Sequence, residues 1–238
     1  MAGPTLFVAG ATGFTGREVV REARARGLTT VAHVRPDSSR LADWQDRFTA
    51  LGAMVDSTPW DTAAMGELIG RLRATHLFAL VGTTRARGRQ AARRGGREDY
   101  ENVDFGLTAL LVRAAAGSGM RPRIVYLSAV GAGPSARTAY MRARHRAEQA
   151  VIESSLPYTI VRPSFIVGPD RDDGRPAERI GASFVDGVLG LAGLLGARRL
   201  RDRYRSISNV ELARTLLELA LDPQAAGRVV EAEQLRRG

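Results

Sequence analysis

The chain has 238 residues, with 35 basic and 25 acidic side chains and a net charge of +10; it contains neither lysine nor cysteine, so every basic residue apart from the histidines is arginine. That composition excludes disulfides, thiolate metal centres and cysteine nucleophiles, and with them any Schiff-base, P-loop or lysine-relay chemistry. At 44% hydrophobic and 25% charged residues the chain is an ordinary globular one, of a length that suits one sizeable α/β domain. Met1-Ala2-Gly3-Pro4 leads directly into an apolar run with no basic n-region or cleavage site, which predicts a soluble, cytoplasmic protein with no membrane contact. The longest apolar stretch, Phe184–Gly196, holds Asp186 and four glycines and is too short to span a bilayer. The excess of arginine reads as solvated surface; nucleic-acid binding is the disfavoured alternative.

Short apolar runs alternate with helical patterns, as a parallel sheet with crossover helices requires. In chain order the residues predict a strand at Thr5–Ala9, a helix at Arg17–Arg26 ended by Gly27, and strands at Thr30–Val34 and Ala53–Val55. A helix at Ala63–Arg73 and a strand at His76–Val81 follow. Tyr100–Ala116 carries Tyr100, Val103, Leu107, Leu110, Leu111 and Ala114 at helical spacing. Then come a strand at Arg123–Leu127, a helix at Tyr140–Ser154, a strand at Tyr158–Val161, a helix at Glu211–Ala220 and a last strand near Arg228–Glu231. The fold class is α/β, a doubly wound parallel sheet of Rossmann type. Residues 1–238 form one domain, to which 164–238 contribute a small cap on the substrate side. Ser206-Ile207-Ser208-Asn209 before Val210-Glu211 reads as a capped helix start.

The strongest local signal is Gly10-Ala11-Thr12-Gly13-Phe14-Thr15-Gly16, placed between the first strand and the first helix. A tight strand-to-helix turn needs the backbone freedom of glycine, and a diphosphate approaching the helix N-terminus needs side chains out of its way. Gly16 lets the helix sit close to the sheet, while Thr12, Phe14 and Thr15 ride on the same turn and count among the cofactor contacts. Arg35 follows Gly16 by 19 residues, at the end of the second strand, where an acidic residue would accept from a ribose hydroxyl. An arginine there pairs with a 2′-phosphate instead. Arg17 reaches the same phosphate and Arg40 is a looser third candidate, so NADP(H) is favoured as cofactor over NADH. Asp37 stays open either as a ribose ligand or as a turn residue.

These features, taken with several others, resemble the short-chain dehydrogenase/reductase superfamily, and within it the atypical members with G-x-x-G-x-x-G spacing. The nearest likeness is to the NADPH-binding oxidoreductase family of the Tat-interacting protein, with NmrA-like proteins further off. The supporting stretches are Gly82-Thr83-Thr84-Arg85, Leu127-Ser128 with Gly131-Ala132, Tyr140 with Glu148, and Tyr158-Thr159-Ile160-Val161-Arg162-Pro163. Asp170-Arg171 and Arg175-Pro176 with Glu178 extend it. The resemblance implies that Asp56 lies near the adenine, that Gly82 and Thr83 line the sugar-phosphate path, and that Pro163, Ser164 and Phe165 bracket the nicotinamide. It further implies that Ser128 and Tyr140 polarise a carbonyl, with Tyr140 as proton donor. The family's lysine, one helical turn after the tyrosine, is Arg144 here, a fixed positive charge that neither releases nor relays a proton easily. Asn102 either completes the constellation or bonds the backbone at its helix start.

The resemblance therefore implies an NADPH-dependent reductase acting on a carbonyl or related unsaturated group of a small, fairly apolar substrate. The departure at Arg144 keeps open a catalytically weak NADPH-binding regulatory protein, a redox sensor; a nucleotide-sugar epimerase or dehydratase is a third reading. No metal is expected, since His33, His76 and His145 have no ligand spacing. The chain is expected as a monomer or homodimer. Arg85–Arg97 carries six arginines and reads as a solvated loop or a flap over the cofactor; Phe184–Gly196 reads as pocket lining, cover or dimer contact.

Overall fold

The computed structural model describes residues 3–83, 99–169 and 206–235. The opening strand β1 (Thr5–Ala9) has the apolar run of a strand covered on both faces, and it lies in the interior of the sheet. Leu6 and Val8 point to one face and Phe7 and Ala9 to the other, each fully buried. From β1 the chain runs through α1 (Gly16–Ala25), β2 (Thr29–His33), α2 (Leu41–Ala50), β3 (Met54–Asp56) and α3 (Thr62–Leu72) to β4 (His76–Ala79). After a π-wound segment (Tyr100–Leu107) come α4 (Thr108–Gly117), β5 (Arg123–Leu127), α5 (Ala139–Glu153), β6 (Tyr158–Arg162) and β7 (Ile166–Val167). The described chain closes with β8 (Ile207–Ser208), α6 (Asn209–Leu221) and β9 (Arg228–Glu231).

Seven strands form one parallel sheet in the order β3-β2-β1-β4-β5-β6-β9, and β7 pairs with β8 in a second sheet of two strands. The chain works outward from β1 to β3 and then returns to the other side of β1 with β4. The strand order therefore reverses between β1 and β4, opening a crevice beyond their carboxyl ends. One core layer places Val19, Val20 and Ala23 of α1, Phe48 of α2 and Leu212 and Leu216 of α6 against the sheet. The other layer is built on Met65 and Leu68 of α3, Leu111 of α4 and Ala147 and Val151 of α5.

The doubly wound architecture agrees with the sequence reading, and β1, β5 and β9 have the expected bounds. Strands β7 and β8 were not expected, and two further elements differ. Helix α2 was not expected, because it buries only Trp44 and Phe48 in a polar segment. The expected single helix over Tyr100–Ala116 is wound as a π-helix through Leu107 before it becomes α-helical. Asp104 lies within this π-wound segment and is fully buried.

Candidate functional site

The glycine turn is dictated by its own crowding. Gly10 adopts φ +84°, a left-handed conformation, and a Cβ there would lie 2.7 Å from the Leu80 carbonyl just past β4. Gly13 N–H donates to Gly10 O at 2.9 Å, and a Cβ on Gly13 would sit 3.1 Å from that oxygen. Gly16 is buried against the Gly10 carbonyl, with no room for a side chain. The turn therefore presents bare backbone at the N-terminus of α1, whose N-cap residue Thr15 makes no side-chain cap bond. Thr15 is buried, while Thr12, Phe14 and Arg17 are half-buried. The Arg17 guanidinium lies 5.4 Å from the centroid of the Phe14 ring.

Across the crevice, the ends of β4 and β5 carry a charged cluster. Tyr140 lies in the first turn of α5, half-buried, its ring edge-on to Tyr100 at 5.2 Å and with the Arg144 guanidinium 5.3 Å from its centroid. Arg144 is only 7% exposed. Its Nη1 donates to Leu127 O at 2.6 Å and to Tyr126 Oη at 3.4 Å, and its Nη2 pairs with Asp104 at 2.8 Å. The other Asp104 oxygen accepts the Thr83 N–H at 3.0 Å. A Cβ on Gly82 would lie 2.5 Å from Arg144 Nη2, so glycine at that position leaves the guanidinium its space.

Burial pushes the Asp104 carboxyl above its ordinary range, although Arg144 and the Thr83 N–H work against the shift. Burial also opposes the charge on Arg144, but Tyr140, Tyr126 and Asp104 outweigh it and hold the guanidinium well above its usual value. Burial pushes the Tyr126 phenol up to about 12. Arg144 is accordingly a permanent cation in a largely dry setting.

Two hydroxyls complete the crevice wall. Ser128, 3% exposed, is fixed by its N–H bond to Val161 O at 2.8 Å, and its Oγ has no hydrogen-bond partner among the described residues. The Thr83 Oγ1 is likewise buried and without a partner among them. Buried polar atoms are nearly always satisfied, so both fit a polar ligand in the crevice. Together with the bare glycine turn they meet the requirements of a bound dinucleotide.

The other predicted residues are more dispersed. Arg35 is exposed and forms a 3.7 Å ion pair with Asp37; Arg40 pairs with Asp43 at 3.4 Å and lies over Trp44. Asp56, ending β3, accepts from Thr58 N–H at 2.8 Å. Pro163 is buried, Ser164 half-buried, and Phe165 50% exposed. Asn102 is exposed and donates to Asp99, the cap of its own segment, so it is a helix-start residue. His33 is buried against Thr58 O and His76 bonds Thr75, and among the described residues no three His, Asp or Glu side chains are grouped to hold a metal. Arg85–Arg97, Phe184–Gly196, Asp170, Arg171, Arg175, Pro176 and Glu178 lie outside the described residues.

Sequence reasoning missed Asp104, Tyr126 and Asn209. For Asp104 a signal existed: it falls on the apolar stripe of Tyr100, Val103 and Leu107, a position where an acid needs a buried partner.

Residues 10–187 match the model of the NAD(P)H-binding family. "Protein FMP52, mitochondrial" of Debaryomyces hansenii is 25% identical over 229 residues, covering 95% of this chain and 92% of that protein. "Divinyl chlorophyllide a 8-vinyl-reductase, chloroplastic" of Oryza sativa subsp. indica is 34% identical over 168 residues, 67% of this chain but 39% of the larger protein. The binary complex of leucoanthocyanidin reductase with NADPH from Vitis vinifera superposes with a TM-score of 0.64 at 16% identity, covering 94% of this chain and 67% of that one. At that identity the likeness is one of fold. The FMP52 relatives are named as mitochondrial, which overturns the expectation of a cytoplasmic protein. The matched family, the reversing parallel sheet and the glycine turn agree with the resemblance to atypical short-chain dehydrogenases/reductases: the chain belongs to the NAD(P)H-binding family.

Proposed function

We propose that the chain is an NADPH-dependent reductase acting on a carbonyl or related unsaturated group of a small, fairly apolar molecule. The observation that carries this reading is the buried Ser128 hydroxyl, without a hydrogen-bond partner among the described residues, next in sequence to Leu127, whose carbonyl anchors the Arg144 cation against the Tyr140 ring. In this reading Gly10, Thr12, Gly13, Phe14, Thr15, Gly16 and Arg17 hold the diphosphate, and Arg35 pairs with the 2′-phosphate. Asp56 lies toward the adenine, Gly82 and Thr83 along the sugar-phosphate path, and Pro163, Ser164 and Phe165 beside the nicotinamide. The bound cofactor supplies the hydride.

Ser128 Oγ donates to the substrate oxygen and orients it. Tyr140 delivers its phenolic proton to that oxygen as negative charge develops there. Arg144 acts electrostatically and by position. Anchored to Leu127 O and Asp104, it supports the Tyr140 ring, and its raised proton affinity keeps it out of any proton relay. The test is substrate-driven NADPH oxidation across a carbonyl panel. Tyr140→Phe should cut kcat about 100-fold or more while leaving NADPH binding intact; equal rates would exclude Tyr140 as the proton donor.

The burial of Arg144 also favours a second reading, an NADPH-binding regulatory protein with little turnover. Tight NADPH binding without oxidation across the panel, together with a partner whose binding depends on the nucleotide, would decide for it.

A further inference from the structure

The glycine turn is braced from the other end of the chain. Pairing of β7 with β8 brings together the two residues that follow these strands, Gly168 and Asn209. Asn209 opens α6 behind a capping box: Ser208 Oγ accepts the Glu211 N–H, and the Glu211 carboxylate accepts the Ser208 N–H, both at 3.1 Å. The start of the helix is thus served without the Asn209 side chain. That side chain is buried, 3% exposed, and its Nδ2 donates to Phe14 O at 3.2 Å, 195 residues away in sequence. Its Oδ1 has no hydrogen-bond partner among the described residues. Gly168 completes the slot, since a Cβ there would lie 2.8 Å from the Phe14 ring and collide with the Asn209 amide.

The bond fixes a peptide plane. No described peptide bond is cis, and in a trans peptide the C=O and N–H point in opposite directions. Holding the Phe14 carbonyl toward α6 therefore turns the Thr15 N–H away from α6, at the N-cap of α1, where an anion would be received. Helix α6 does not depend on this bond for its docking, because Leu212, Ala213, Leu216 and Leu217 share a core layer with Val19, Val20 and Ala23 of α1. We propose that Asn209 is a positioning residue of the dinucleotide site, setting the Phe14–Thr15 peptide so that its N–H faces a diphosphate oxygen. The proposal rests on the cofactor reading above.

The test is calorimetric titration of the full chain and its Asn209→Ala, Asn209→Asp and Gly168→Ala variants with two probes. NADPH carries the diphosphate, whereas 2′,5′-ADP carries the adenine end and the 2′-phosphate without it. Asn209→Ala should weaken NADPH about tenfold, the scale of one oriented hydrogen bond, and change 2′,5′-ADP less than twofold. Asn209→Asp should weaken NADPH further, because a carboxylate cannot donate to Phe14 O and adds negative charge beside the turn. Gly168→Ala, which keeps the asparagine but drives a Cβ into its amide, should follow Asn209→Ala. Unchanged NADPH affinity in all three variants overturns the proposal, as does parallel weakening of both probes. Failure of the wild-type chain to bind NADPH would instead bring down the cofactor reading, and this proposal with it.

Discussion

Arg144 shows how one residue type changes the job of a position. An ammonium is a compact charge on a flexible stem, whereas a guanidinium is a planar fork that needs several acceptors. Here the acceptors are Leu127 O, Tyr126 Oη and Asp104, and Gly82 provides the space. The substitution, and an acid on the apolar stripe of Tyr100–Leu107, were readable from the sequence; that the two pair was not, because they sit on separate elements and no local pattern joins them. Asp104→Ala should destabilise the fold by about 3–5 kcal/mol in urea denaturation, because it strands a buried cation. Arg144→Lys should also destabilise, by about 1–3 kcal/mol, since a single ammonium cannot span the same acceptors. Wild-type stability in either variant would contradict the geometry described.

Among the elements, legibility followed the strength of the buried pattern. Strands β1 and β5 each have four buried residues in a row, and their limits could be read directly. Helix α2 could not, because its anchors Trp44 and Phe48 sit among exposed charges, with Arg40 and Arg47 lying over the Trp44 ring at 5.1 and 5.3 Å. The two-stranded β7–β8 sheet escaped detection because its strands are two residues long and far apart in sequence. The capped start of α6 was readable, and Ser208→Ala should cost about 1 kcal/mol in thermal or urea unfolding. The reach of Asn209 to Phe14 was not, since a contact across 195 residues leaves no local trace.

At the scale of the whole molecule, the strand order puts the glycine turn after β1, Gly82 after β4, and Ser128 with the anchor of Arg144 at the end of β5, on the carboxyl ends of neighbouring strands. The same burial makes the fold sensitive to acid. Desolvation holds the His33 and His76 imidazoles below their ordinary value of 6.5. The unfolded chain takes up protons near that value while the folded chain resists them, so stability is intact above pH 6.5 and falls as pH drops below it. Urea midpoints at pH 7.5 and 5.5 should show the loss, and His33→Gln should reduce it; a midpoint that rises on acidification would contradict the assignment.

The central claim is that a dinucleotide rests its diphosphate on the backbone between Gly10 and Gly16. The most direct measurement is a crystal structure of the chain at saturating NADPH. The diphosphate should lie against the N-terminus of α1 with the 2′-phosphate at Arg35; a crevice without dinucleotide under those conditions would contradict the account.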